Sequence, residues 1–149
     1  MGTGAAVGII SPPVRLVTPG PGTIRTAAVF AGGALGAAGR YGLNRAMPVT
    51  PGHWPWATFT ANIAGAVLAG YLVTRLQERL APSRGLRPFL VTGFCGGLTT
   101  FSTLQVEFVR LGHDGHPLLG LAYLCTSIAC GAFAVACTTQ LVRRAELSA

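Results

Sequence analysis

Hydrophobic positions gather in four long runs separated by short polar stretches, and the runs are too continuously apolar for the faces of soluble helices. The first extends from about Ile24 to Met47 and the second from Trp54 to about Leu76. The third fills the uncharged interval between Arg87 and Glu107, and the fourth runs from about Pro117 to Val142. Each approaches the roughly 20 residues a helix needs to cross about 30 Å of hydrocarbon. The pattern predicts an all-α membrane protein with four transmembrane helices in one domain, residues 24–144. Residues 1–23, rich in Gly and Pro, read as a flexible N-terminal tail, and 145–149 as a short C-terminal one. Arg15 follows the apolar stretch Ala5 to Ile10 instead of preceding it, which is the wrong order for a signal peptide.

The third run is the one least suited to an unbroken helix. Gly93, Gly96 and Gly97 each cost about 1 kcal/mol against Ala in a helix interior. Thr99 and Thr100 follow, β-branched and with hydroxyls that compete for backbone hydrogen bonds. A span broken at mid-depth frees carbonyls and amides, which hydrocarbon tolerates only where they face protein, an ion or water. Half-helices meeting at such a break form ion sites in several transport proteins. A Gly-rich helix kept small for close packing is the competing reading of the same residues.

Composition sharpens the class. Half of the 149 residues are hydrophobic, 10% are charged, and the mean hydropathy is +0.53. Soluble domains carry about 25% charged residues. The eleven basic residues are all Arg, against four acidic ones, for a formal charge of +7. These arginines flank apolar runs, so the partner they imply is the anionic leaflet of a lipid bilayer and not nucleic acid. Cys95, Cys125, Cys130 and Cys137 all lie inside apolar runs, form no CxxC pair, and read as small packing residues.

Polar residues inside the runs are the candidate chemistry. Only fourteen uncharged residues separate Arg25 from Arg40, too few to cross, so Arg40 sits within the membrane's thickness or just beneath its interface. It either snorkels or lines an aqueous vestibule. Gly32-xxx-Gly36 before it allows another helix to approach closely. Thr58 and Asn62 share one face of the second run, where Ala61, Gly65 and Ala69 form a stripe of small residues. Thr100, Thr103 and Glu107 recur at helical spacing after the break, with Phe101, Leu104 and Phe108 beside them. Tyr123 and Ser127 set two hydroxyls on one side of the fourth run. The inward-facing candidates are thus Asn62, the edge of Phe101 and the hydroxyls of Thr58, Ser102, Thr103, Tyr123 and Ser127. Nearly all can donate, and the positive rim of a phenyl ring can face an anion. A row of neutral donors suits a small anion that must bind and then leave. There is no nucleophile–base set, no metalloprotease motif and no phosphate loop, so the chain does not read as an enzyme.

Three stretches together resemble the Fluc (CrcB-like) fluoride channels. They are Gly33-Ala34-Leu35-Gly36-Ala37-Ala38-Gly39-Arg40-Tyr41, Thr58-Phe59-Thr60-Ala61-Asn62-Ile63-Ala64-Gly65, and Gly93-Phe94-Cys95-Gly96-Gly97-Leu98-Thr99-Thr100-Phe101-Ser102-Thr103. The resemblance covers about Thr26 to Arg144. It implies an antiparallel, dual-topology dimer with two fluoride pores and a non-transported structural sodium ion (Na+) at its centre. By position, the sodium-binding carbonyls belong to Gly96 and Thr99. Asn62 corresponds to the pore-facing amide, Phe101 to the first aromatic that meets fluoride edge-on, and Arg40 to the vestibule arginine. Glu107 closes the third motif, and Tyr123 and Ser127 resemble part of a polar track. Leu104 stands where the family usually carries a second Phe.

The expected function is a fluoride-selective channel in the cell membrane through which cytoplasmic fluoride leaves passively. Its subunits pair as a homodimer, or as a heterodimer with a paralogue. A small four-helix multidrug-exporter-like transporter is the alternative. Such exporters need an embedded Glu in the first helix, where this chain has Arg40. A non-transporting assembly subunit would leave Asn62 and the run Thr99–Thr103 without a role.

Overall fold

The computed structural model describes residues 20–78 and 85–147; most of the expected N-terminal tail, the centre of the second loop and residues 148–149 lie outside them. Every regular element among the described residues is helical. Helix α1 is Pro21–Ala46 and α2 is Trp56–Glu78. A π-helix, Pro88–Cys95, continues directly into the single turn α3, Gly96–Leu98. After a break come α4, Phe101–His113, and α5, Pro117–Leu147. The first helix starts three residues ahead of the expected Ile24, with Pro21 in its first turn, where proline's missing N–H costs nothing. The last helix extends past Val142 to Leu147.

Three described helical stretches are long and apolar enough to cross a membrane: Trp56–Leu76, Pro88–His113 and Pro117–Ala145. Helix α1 has 26 residues, about 39 Å at the helical rise. Its length suffices, but Arg25, Arg40 and Arg45 keep it less apolar than the other three.

Glycines set how the helices pack. A Cβ on Gly32 would collide with the backbone of Phe89 and Phe94, and one on Gly36 with Phe94 and Leu98. From the other side, Gly93 presses on Val29 and Gly32, and Gly97 on Gly33. The expected close approach at Gly32-xxx-Gly36 is therefore made to the π-helix and α3, backbone against backbone. Contact order along this seam shows α1 parallel to the third segment. Helix α2 crosses that segment in the opposite sense, with Gly65 against Cys95 and Thr99, and runs parallel to α5, where Gly70 meets Val135 and Thr138. Chain direction thus alternates through the four helical segments.

The glycines do not break the third segment. Gly93, Gly96 and Gly97 all stay helical, and the chain leaves the helix only at Thr99 (ψ 155°) and Thr100 (φ −152°, ψ 124°). Packing of Gly93 and Gly97 against α1 outweighs the poor intrinsic propensity of the glycines. The core lies at the α2–α4–α5 contact, where Leu104, Leu111 and the fully buried Tyr123 pack with Trp54, Phe59, Leu119 and Leu124. The four cysteines are free thiols, Cys95 buried and Cys125 exposed.

Candidate functional site

The break is built by side chains from outside the segment. Asn62 on α2 sets its amide flat against the backbone of Thr100. Its Nδ2 donates to the Thr100 carbonyl at 3.1 Å, and its Oδ1 accepts from the Thr100 N–H at 2.8 Å. The pairing also fixes which way round the amide sits. The Thr100 hydroxyl accepts from the Thr103 N–H at 3.2 Å, capping α4, and donates to the Thr103 hydroxyl at 3.0 Å. Thr100 therefore does not extend the polar face of α4 as its spacing with Thr103 and Glu107 predicts. It is the N-cap. A threonine just ahead of a periodic apolar run is the sequence signal for that role.

These bonds change the carbonyls upstream. In a continuous helix the Gly96 carbonyl would accept from the Thr100 N–H, and the Thr99 carbonyl from the Thr103 N–H. Both donors are engaged elsewhere, by Asn62 Oδ1 and Thr100 Oγ1. The Cys95 carbonyl, by contrast, accepts both the Thr99 N–H at 3.0 Å and the Thr99 hydroxyl at 2.9 Å.

Beside the break lies an open groove of about 450 Å³. Asn62, Phe101, Leu104 and Ser127 line it, together with Gly96, Thr99 and Thr100. Ile128 and Gly131, which sequence reasoning passed over, complete the wall from α5. Leu104 is 3% exposed and joins the core, while Phe101 is 61% exposed at the groove's lip. The Ser127 hydroxyl is buried without a hydrogen-bond partner among the described residues. The N-terminus of the 13-residue α4 opens here too, contributing the positive end of its dipole and free amide donors.

Thr58 and Tyr123 are not in this groove. One helical turn away, the Thr58 hydroxyl donates to Glu107 Oε1 at 2.8 Å and the Tyr123 hydroxyl to Glu107 Oε2 at 2.6 Å. All three side chains are buried. Burial of Tyr123 under Trp54, ring centroids 5.3 Å apart and edge to face, rules it out as an interfacial belt residue. On its far side Glu107 lines a pocket of about 140 Å³, bounded by His53, Arg110 and Asp114 near the loops at that end. The Glu107 cluster thus stands between the groove and this outer pocket. Glu107→Leu would leave two buried hydroxyls without their acceptor, at about 1–3 kcal/mol each. Thermal unfolding in detergent is expected to show a loss of roughly 2–6 kcal/mol.

The other predicted residues line neither cavity. Ser102 is exposed, its hydroxyl 3.3 Å from that of Thr100, and Arg40 is half-buried on α1. The loop carrying His113, Asp114 and His116 brings no three metal-ligating side chains together among the described residues.

Residues 27–139 match the family described as CrcB-like protein, Camphor Resistance (CrcB). The chain is 54% identical over 121 residues to a protein named fluoride-specific ion channel FluC 1 from Mycolicibacterium paratuberculosis, covering 81% of this chain and 92% of that one. The same identity and coverage hold for FluC 1 of Mycobacterium tuberculosis. FluC 2 of Nocardia farcinica is 42% identical over 101 residues, 68% of this chain and 72% of its own. With the broken third segment, the glycine seam and the polar groove in place, these matches assign the chain to the CrcB (FluC) family of ion channels.

Proposed function

We propose that this chain is a subunit of a fluoride-selective channel that lets cytoplasmic fluoride leave the cell passively, lowering its toxicity. The groove beside the break carries the reading. Its donors are neutral, the free Ser127 hydroxyl and the amides of a half-helix N-terminus among them, and Phe101 brings a ring edge to the same place. Neutral donors hold a small anion strongly enough to replace its water and weakly enough to release it. Passive exit is useful because neutral HF crosses lipid, ionises inside and is trapped as the anion.

One chain leaves the groove open on one side, with Phe101 at its lip. A second subunit, antiparallel to the first, closes it, and the cell membrane is the natural site of such an efflux channel. The partner is either another copy or a paralogue. Streptomyces avermitilis has relatives numbered FluC 2 and FluC 3. The Gly96 and Thr99 carbonyls, stripped of their helical donors, suit a hard monovalent cation with oxygen ligands, and a structural sodium ion fits there. Gly96 and Thr99 both line the open groove beside the break.

Proteoliposomes loaded with fluoride and read with a fluoride electrode test the proposal. Passive fluoride release with chloride retained is expected, without any proton gradient. Chloride flux equal to fluoride flux, or strict dependence on a proton gradient, would reject it. The second outcome would favour the exporter.

A further inference from the structure

A continuous helix is the geometric alternative to the break seen at Thr99 and Thr100. Thr99 and Thr100 disfavour a helix only mildly, and a continuous helix would pair Thr100 N–H with the Gly96 carbonyl and Thr103 N–H with the Thr99 carbonyl. In the structure each donor is held by one side chain: Thr100 N–H by Asn62 Oδ1 at 2.8 Å, and Thr103 N–H by Thr100 Oγ1 at 3.2 Å. Asn62 lies 38 residues from Thr100 in sequence, so this diversion comes from tertiary structure. Its second bond, Nδ2 to the Thr100 carbonyl, locks the residue in the extended conformation.

We propose that Asn62 and the Thr100 hydroxyl are positioning residues for the central cation, which create its seat by withholding one amide proton from each of the two carbonyls that bind it. Neither side chain touches the ion. The inference rests on the sodium reading above and adds its cause: the groove amide and the cation seat are one device. Whatever loosens Asn62 returns the Gly96 carbonyl to the helix.

The test is a sodium titration of the purified full-length channel in detergent, from N-methyl-D-glucamine chloride into sodium chloride at constant ionic strength. The readout is the shift in thermal unfolding midpoint, which is independent of fluoride transport. In the native protein sodium raises the midpoint in a saturable way. Asn62→Ala and Thr100→Val are each expected to raise the half-saturating sodium concentration at least tenfold. Thr100→Ser, which keeps the hydroxyl, is expected to stay within twofold of the native value. Thr100→Val preserves side-chain volume and supplies the comparison should Asn62→Ala fail to fold. A merely structural role would lower the midpoint at every sodium concentration and leave half-saturation unmoved. That result, or Thr100→Ser behaving like Thr100→Val, overturns the proposal while the sodium reading stands. A native protein with no sodium-dependent shift overturns both.

Discussion

Asn62→Ala is expected to cut fluoride flux in proteoliposomes at least tenfold, with the protein still dimeric on gel filtration. The native amide spends one N–H on the Thr100 carbonyl and its oxygen on the Thr100 N–H, and in the proposed channel its remaining N–H serves as a donor to the anion in the groove that Asn62 lines. Alanine removes all three at once. An anion shedding water there loses a donor, and the freed Thr100 groups lose partners, at about 1–3 kcal/mol for each buried group left unpaired. A single such loss in the barrier already suffices for tenfold, which needs only about 1.4 kcal/mol. Asn62→Asp keeps the acceptor for Thr100 N–H but loses both N–H groups and brings a charge that repels an anion, so its flux is expected to fall as well. Flux unchanged in Asn62→Ala would place the conduction path elsewhere, and a monomeric variant would make Asn62 interhelical glue.

Insertion in a single orientation is the second large effect. With chain direction alternating, the N-terminus, the second loop and the C-terminus share one side. By sequence order the segments assigned to that side carry Arg15, Arg25, Arg75, Arg79, Arg84, Arg87, Arg143 and Arg144, eight of the eleven arginines. Arg40, Arg45 and Arg110 are the three on the other side. Arginine imbalance sets which way a chain inserts. Discounting Arg15 as a tail residue and Arg40 as a vestibule residue still leaves seven against two. Both termini are therefore expected in the cytoplasm in most copies of the chain. A cysteine introduced at either terminus and labelled from outside intact cells should stay almost unreacted. An antiparallel dimer then needs a second chain of opposite bias, and this chain expressed alone should conduct poorly. Equal labelling of both orientations, or full fluoride flux from the chain by itself, would show that it pairs with its own inverted copy.

What could be read from the sequence was whatever depends on local pattern. Apolar runs of membrane length, prolines at helix starts and the Gly32-xxx-Gly36 spacing are properties of neighbouring residues, and each reappears in the fold. The stretch Gly93–Thr100 was legible as a weak helix, but glycine's helix cost is local, whereas the contacts that keep Gly93 and Gly97 helical belong to α1. The position of the break depends on Asn62, and the Glu107 cluster joins Thr58 across 49 residues. Spacing on one helix cannot reveal that Tyr123 and Ser127, four apart, point one to a carboxylate and the other to a groove.

The glycine seam between α1 and the third segment has a mechanical consequence. Where backbone bears on backbone there is no side chain to change rotamer and absorb a displacement, so the two segments tilt as one piece. Helices answer a change of bilayer thickness chiefly by tilting. A thinner or thicker membrane that tips α1 therefore carries the Thr99–Thr100 break with it, and lipid chain length becomes a lever on the width of the groove.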